Sequence, residues 1–278
     1  MVGLRLDLFG GFSLRKAGGG DQCAFATTKS KALLAWLALA PGRAHRREAL
    51  AALLWGERPE RAARHSLSQA LLSLKKTLAA AGVSAINADH RQAKLTPGVI
   101  VVDVARFEAL MSEGTPAALN EAAGLHRGEF LAGFDGIGEV FDEWLEARRF
   151  RQREAYWNCL ARLLDHHSNA GPPERAIAHA QRLLELEPLD EPVHRRLMSL
   201  YLKQGRKTAA LRQFAVCASI LARELGVEPE AKTKALHRSI GPPAAAVASP
   251  RATPSLAGSR ASIAGLPMSA GGPEPGQD

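Results

Sequence analysis

The sequence predicts a mainly α fold with a small β component, in which a short-stranded N-terminal part precedes an all-α remainder. Three observations carry that expectation. Apolar and polar residues alternate over residues 4–16, LRLDLFGGFSLRK. Residues 61–78, RAARHSLSQALLSLKKTL, have the 3.6-residue period of a helix and are followed by two short β-like runs. From Asp103 onward the chain reads as helix almost throughout, with a self-similarity of period 34 between Gly171 and Gly205.

In the N-terminal part, Leu4, Leu6 and Leu8, then Phe12 and Leu14, alternate around Gly10 and Gly11, which predicts strand, turn and strand. Gly18, Gly19 and Gly20 form a flexible link to a short strand over residues 23–26. Thr27 or Thr28 can cap a helix that Pro41 and Gly42 stop. A second short helix over residues 46–55 leads through a turn at 56–59 into the helix at 61–78. Residues 84–87 and 93–96 then read as two strands around Ala88, Asp89, His90 and Arg91. Helices followed by a hairpin in this order make a winged helix-turn-helix.

At about 100° per residue, Ala63, Leu67, Leu71, Leu74 and Leu78 share one stripe, while Arg61, His65, Ser68, Gln69, Leu72 and Lys76 look the other way. A helix of this kind lies on a small core and offers its far side to a duplex. Gln can hydrogen-bond an adenine edge through both amide atoms, Lys can reach phosphate or guanine, and an exposed Leu can touch a thymine methyl. A solvated amphipathic helix would show the same alternation, so the flanking charge matters. Residues 1–100 hold fifteen Lys and Arg against six Asp and Glu, whereas residues 101–240 hold nineteen against twenty. Nearly all of the net charge of +8 therefore sits in the first hundred residues, the electrostatic footprint of a nucleic-acid binder.

The helical part pairs Ala176 and Ile177 with Ala210 and Leu211, Ala180 with Phe214, and Leu183 and Leu184 with Cys217 and Ala218. A period of 34 is the tetratricopeptide length. Between the repeats, residues 190–204 place Val193, Leu197, Leu200 and Tyr201 on one core-facing side, and a long helix over 139–167 is expected to turn Phe141, Trp144, Leu145, Trp157, Leu160 and Leu164 towards the array. Such stacked pairs present a concave protein-binding surface, which suits a regulatory or dimerisation module. The expected division is 1–102, 103–240 and a tail, 241–278, whose Pro, Ala, Gly and Ser composition cannot offset its ordering entropy.

Several classes are disfavoured. Cys23, Cys159 and Cys217 are odd in number and scattered, which speaks against a disulfide scaffold or zinc module. The N-terminus lacks the pattern of a signal peptide, and the longest apolar run, residues 32–40, cannot span a bilayer, so a cytoplasmic protein without membrane association is expected. Gly18, Gly19 and Gly20 lack the Gly-Lys-Ser/Thr of a phosphate loop, and Asp165, His166 and His167 are adjacent on a helix and do not face one point. No enzyme, cofactor or metal site is expected. A competing expectation is a tetratricopeptide-like adaptor whose basic N-terminal domain binds an acidic protein or RNA.

The stretches ARHSLSQALLSLKKTL, TPGVIVVDVARFEAL, DEWLEARR and LLELEPLDEPVHRRLMSLYLKQGRKTAALRQFAVCASILARELGVEPEAKTKAL resemble bacterial transcriptional activator domain (BTAD) proteins of the antibiotic-regulatory, SARP-like group, over about residues 3–240. The resemblance implies an OmpR-type winged helix that binds double-stranded promoter DNA as a homodimer and a helical domain that contributes to activation. It makes residues 61–78 the recognition helix, with Arg61, Arg64, His65, Ser68, Gln69, Leu72, Ser73, Lys75 and Lys76 as the DNA-binding set, Arg64 and Lys75 flanking it as phosphate contacts. It also implies that the turn formed by Trp55, Gly56, Glu57, Arg58, Pro59 and Glu60 meets RNA polymerase, and that His90 and Arg91 are wing contacts. The hairpin NADHRQAK departs from the family pattern in lacking its Gly and aromatic residue. The fold's association with phosphorelay signalling does not imply phosphorylation of this chain.

Overall fold

The computed structural model describes residues 3–18 and 22–241. The chain opens with β1 (Leu4–Asp7) and β2 (Ser13–Lys16), an antiparallel pair in the register Leu4↔Lys16 and Leu6↔Leu14. The alternation seen in the sequence buries Leu4, Leu6, Leu8 and Leu14 on one side. The expected strand over residues 23–26 is absent: only an isolated bridge joins Arg15 to Gln22. The chain has to leave the edge of β2 there to reach the Thr27 cap, and Phe25 packs edge-on against Phe12 (5.1 Å between ring centres) in place of a ladder.

Thr27 caps α1 (Thr28–Ala38), its hydroxyl accepting from the Ser30 amide at 3.1 Å. A two-residue strand, β3 (His45–Arg46), leads into α2 (Arg47–Trp55) and then α3 (Glu60–Ala80), the last somewhat longer than its periodic core. The hairpin of β4 (Ile86–Ala88) and β5 (Gln92–Leu95) follows, and β3 adds to it antiparallel through His45↔Ala93. This is the wing. Sequence reading missed β3 because two residues carry no periodicity. It also missed β6 (Ile100–Val102), which returns to pair in parallel with β1. Parallel strands need a long crossover, here supplied by α1, α2, α3 and the wing.

β6 runs directly into α4 (Asp103–Glu113). Asp103, 4% exposed, accepts from the Leu8 and Phe9 amides at 2.9 Å each and from the Val104 amide at 2.7 Å. One carboxylate thus satisfies the end of β1 and the start of α4. Burial pushes its pKa up, and the three amide donors oppose that shift.

The remainder is α5 (Pro116–Leu125), α6 (Glu139–Ala170), α7 (Pro173–Leu186), α8 (Glu191–Lys203), α9 (Lys207–Leu225) and α10 (Ala231–Ile240). The 32 residues of α6 span about 48 Å, and its two ends serve different partners. The first turns were expected to face the repeat array. Instead Trp144 packs on Trp36 of α1 (4.7 Å) and on Phe130 and Phe141. Further along, Leu160, Leu163 and Leu164 are buried and the Cys159 thiol donates to the Leu119 carbonyl of α5.

The two repeats are α7–α8 and α9–α10, with Ala176 and Ala210 both fully buried at matched positions. Their glycines serve different purposes. Gly205 has φ +71°, a left-handed conformation that costs other residues energy. At Gly171 a β-carbon would collide with the imidazole of His167, so the constraint is space. The expected tail, apart from Gly241, and the link glycines Gly19 and Gly20 lie outside the described residues. Among the described residues no helix is long and apolar enough to cross a membrane.

Replacing Asp103 by Ala strands the buried amides of Leu8 and Phe9, and urea unfolding should show a loss of roughly 2–4 kcal/mol, with Asp103→Asn losing less because an acceptor remains. His126 stacks on Tyr156 (3.8 Å between ring centres, 3° between planes), and burial, aided by the charge of Arg182, lowers its pKa from 6.5 to about 4. Between those values the unfolded chain binds a proton that the folded chain does not, so stability should fall as the pH drops through that window. Urea midpoints followed from neutrality downwards should show a shallower fall in that window for His126→Phe.

Candidate nucleic-acid interface

The helix α3 is held from below by its own apolar stripe. Ala63, Leu67, Ala70, Leu71, Leu74 and Leu78 are all buried, on a helix that packs against α1, α2 and β4. On the opposite side Arg61, Arg64, His65, Ser68, Gln69, Leu72, Lys75 and Lys76 are exposed, and Ser73 is half-buried. Leu72, 49% exposed, is a large apolar side chain with no core to join. Arg61, His65, Gln69, Lys75 and Lys76 make no side-chain hydrogen bond among the described residues, so their donors and acceptors face water. Ser73 instead lines a groove shared with His65, Gln69 and the start of α1.

Two members of the set are committed within the protein. Arg64 pairs with Glu48 at 3.0 Å and with Glu60 at 2.6 Å, so its charge is already met. The Ser68 hydroxyl donates to the Arg64 carbonyl at 2.9 Å and accepts from Arg47 at 2.6 Å.

Arg47 is a residue that sequence reading missed. From the first position of α2 its guanidinium reaches Ser68 on α3 and the Asp89 carbonyl at the hairpin tip (3.3 Å), tying the helix to the wing. The tip is itself ordered by Asp89, whose carboxylate accepts from the Arg91 amide (2.7 Å) and the Gln92 amide (2.8 Å), and those bonds hold its pKa below the usual carboxylate range. The result is an open cleft of about 670 Å³ that brings His90 and Arg91 together with Arg46, Arg47, Arg64 and Ser68. The basic run GRAHRRE, residues 42–48, was the available signal for Arg46 and Arg47.

The turn between α2 and α3 requires one correction. Trp55 is 5% exposed and belongs to the core, with the Lys29 ammonium 5.6 Å from its ring centre. Gly56, Glu57, Arg58, Pro59 and Glu60 are exposed. Lys29 donates to the Leu54 carbonyl (2.6 Å) near the end of α2 and to Glu57 (3.0 Å), which fixes the turn. Hydrogen bonds from the Glu57 amide and from Lys29 lower the Glu57 pKa. Among the described residues no three His, Cys, Asp or Glu side chains converge as metal ligands, and Asp165 pairs with Arg196.

A winged helix joined to a tetratricopeptide-like helical array is the class that this fold defines. Family comparison matches residues 102–241 to the bacterial transcriptional activator domain, and the chain belongs to that family. It is 29% identical over 232 residues to the regulatory protein AfsR of Streptomyces coelicolor, covering 80% of this chain and 23% of AfsR. It is 26% identical to the transcriptional regulatory protein MoaR1 of Mycobacterium tuberculosis over 80% of this chain and 74% of MoaR1. For the transcriptional regulatory protein EmbR of the same species the identity is 28%, over 77% of this chain and 58% of EmbR. The chain therefore spans about a quarter of AfsR and well over half of the other two. The structure of Mycobacterium tuberculosis EmbR in complex with a low-affinity phosphopeptide shares the fold, with a TM-score of 0.67 and 23% identity over 85% of this chain and 64% of that one.

Arg47→Ala removes the tie between α3 and the wing. Both its contacts are exposed, so the stability loss should stay below about 1 kcal/mol, while the amides of Arg91 and Gln92 should exchange with solvent faster than in the parent protein. Unchanged exchange there would show that the Asp89 turn and the backbone bond from the Arg47 amide to the Arg91 carbonyl hold the tip without the Arg47 side chain.

Proposed function

We propose that the protein is a sequence-specific DNA-binding transcriptional regulator, an activator, that docks α3 in the major groove of promoter DNA. The observation that carries this reading is the exposed face of Arg61, His65, Gln69, Leu72 and Lys76 on a helix whose other face is fully buried. Membership of the activator-domain family and the regulatory relatives support it. An adaptor would be favoured by burial of that polar face against the helical half. The face is exposed, and the partners of α3 are α1, α2 and β4.

In this reading Gln69 and His65 read base edges, Leu72 meets a thymine methyl, and Arg61, Lys75 and Lys76 hold phosphates. Arg64 and Ser68 contribute once their internal bonds are exchanged, and Ser73 lies at the margin. His90 and Arg91 approach the adjacent backbone from the wing, joined by Arg46. The chain acts as a homodimer on repeated half-sites, with residues 1–102 binding DNA and residues 103–240 serving activation. The turn from Gly56 to Glu60 faces RNA polymerase. The protein works in the cytoplasm and uses neither a cofactor nor an enzymatic step.

Selection of genomic fragments by the full chain at near-physiological salt tests this reading. Enrichment of a few promoter fragments is expected, and uniform weak binding to all fragments would overturn it. On the selected site Gln69→Ala should cost about 1–3 kcal/mol and relax preference at one position. Lys76→Ala or Arg61→Ala should weaken all sequences alike and lower the salt slope by about one.

A further inference from the structure

The corner where α6 passes into α7 carries three histidines. His166 and His167 lie near the end of α6 with their ring centres 5.0 Å apart, and His179 of α7 stacks on His167 at 5.4 Å with 12° between the planes. His167 is 5% exposed, and neither Nδ1 nor Nε2 has a partner among the described residues. The turn itself closes over the ring, because the space beside Gly171 that a side chain would take is filled by Nδ1 and the ring carbon next to it.

The charges that face this ring are positive. His166 acts from α6 itself, and Arg175 and His179 from α7. Asp165, the acid just before them on α6, is paired with Arg196 of α8. Arg195, itself paired with Glu230, and Lys203 line the adjoining groove beside Ser168. Just ahead of α5, Arg162 is held by the Met111 and Gly114 carbonyls, and Glu113 accepts from the Thr115 hydroxyl. Burial, then the charges of His166 and Arg175, lower the pKa of His167, while burial, His167 and Arg175 lower that of His179.

A proton on the enclosed ring would have no acceptor and only like charges around it. The same ring turned out of the corner stands in water at the C-terminal end of α6, where the helix dipole favours a cation. Because both nitrogens are sealed, proton uptake and opening of the corner go together.

We propose that His167, flanked by His166 and His179, is an acid-operated latch on the turn between α6 and α7, closed while the ring is neutral and opened when it takes a proton. Opening frays the end of α6 and the start of α7, and so loosens the first repeat from the long helix while the core under α3 stays intact. Below the ordinary histidine value of about 6.5 the open corner binds a proton that the closed one does not, so the open population grows as the pH falls. The latch is read on the chain alone and does not depend on DNA binding.

Hydrogen exchange of the full chain at about pH 7.5 and about pH 5.5, corrected for the pH dependence of the exchange chemistry, tests it. The helical amides on either side of the turn, Ser168 to Ala170 and Ala176 to Ala178, should open about tenfold more often at the lower pH, the factor that one histidine supplies over that range. Those of Leu71 and Leu74 in α3 should not. His167→Phe keeps an aromatic ring against His179 but removes both nitrogens, and should hold the change below about threefold. His126→Phe should leave it in place. If His167→Phe does not fold, imidazole NMR of the parent protein carries the test, since the closed form must keep His167 neutral at the lower pH. No rise at the corner, an equal rise in His167→Phe or in α3, or a charged His167 ring in the closed form overturns the proposal.

Discussion

The carboxylate of Asp103 joins the two parts of this protein. It lies at the point where β6, having paired in parallel with β1, becomes α4, and it accepts from amides on both sides of the junction. Without such an acceptor, the end of β1 and the first turn of α4 would meet as unpaired donors in an apolar setting. The sheet that closes the N-terminal part and the helix that opens the rest are thus satisfied by the same group. A second brace, the packing of Trp36 on Trp144, carries the front of the long helix α6 onto α1. The helical array is in this way built directly against the small core that supports α3.

That support gives the outer face of α3 its character. A helix anchored by six buried small and aliphatic residues needs nothing from its polar side, so Arg61, His65, Gln69, Leu72, Lys75 and Lys76 remain uncommitted. At the edge of the face the situation differs. Arg64 and Ser68 are held by Glu48, Glu60 and Arg47, and Arg47 reaches on to the hairpin tip. The helix and wing are therefore tied to each other within the protein itself. The acidic side chains in that network also moderate the positive field where helix and wing meet.

The helical half shows how one repeat length can conceal different local causes. Gly171 and Gly205 stand at the same point of the repeat, yet one makes room for His167 and the other takes a left-handed turn. The segment after α5 has no counterpart in the periodic pattern, because it turns back along the N-terminal strands, the Gly10 amide donating to the Glu129 carbonyl and the Leu131 amide to the Leu8 carbonyl.

The order of elements, the buried stripe and exposed face of α3, the charge imbalance and the 34-residue period were all legible in the sequence, because each is a local pattern of spacing or composition. Strands β3 and β6 were not, since a run of two or three residues becomes a strand only when a distant partner completes its hydrogen bonds. For the same reason the sequence could not say that Trp55 is buried, that Trp144 turns to α1, or that Arg47 rather than a wing residue links helix and hairpin. Local chemistry specifies which side of an element is apolar. Which neighbour covers that side, and which charges are used up inside the protein, depends on groups brought together from separate elements, as Arg47 and Asp89 are across 42 residues and Arg64 and Glu48 across 16.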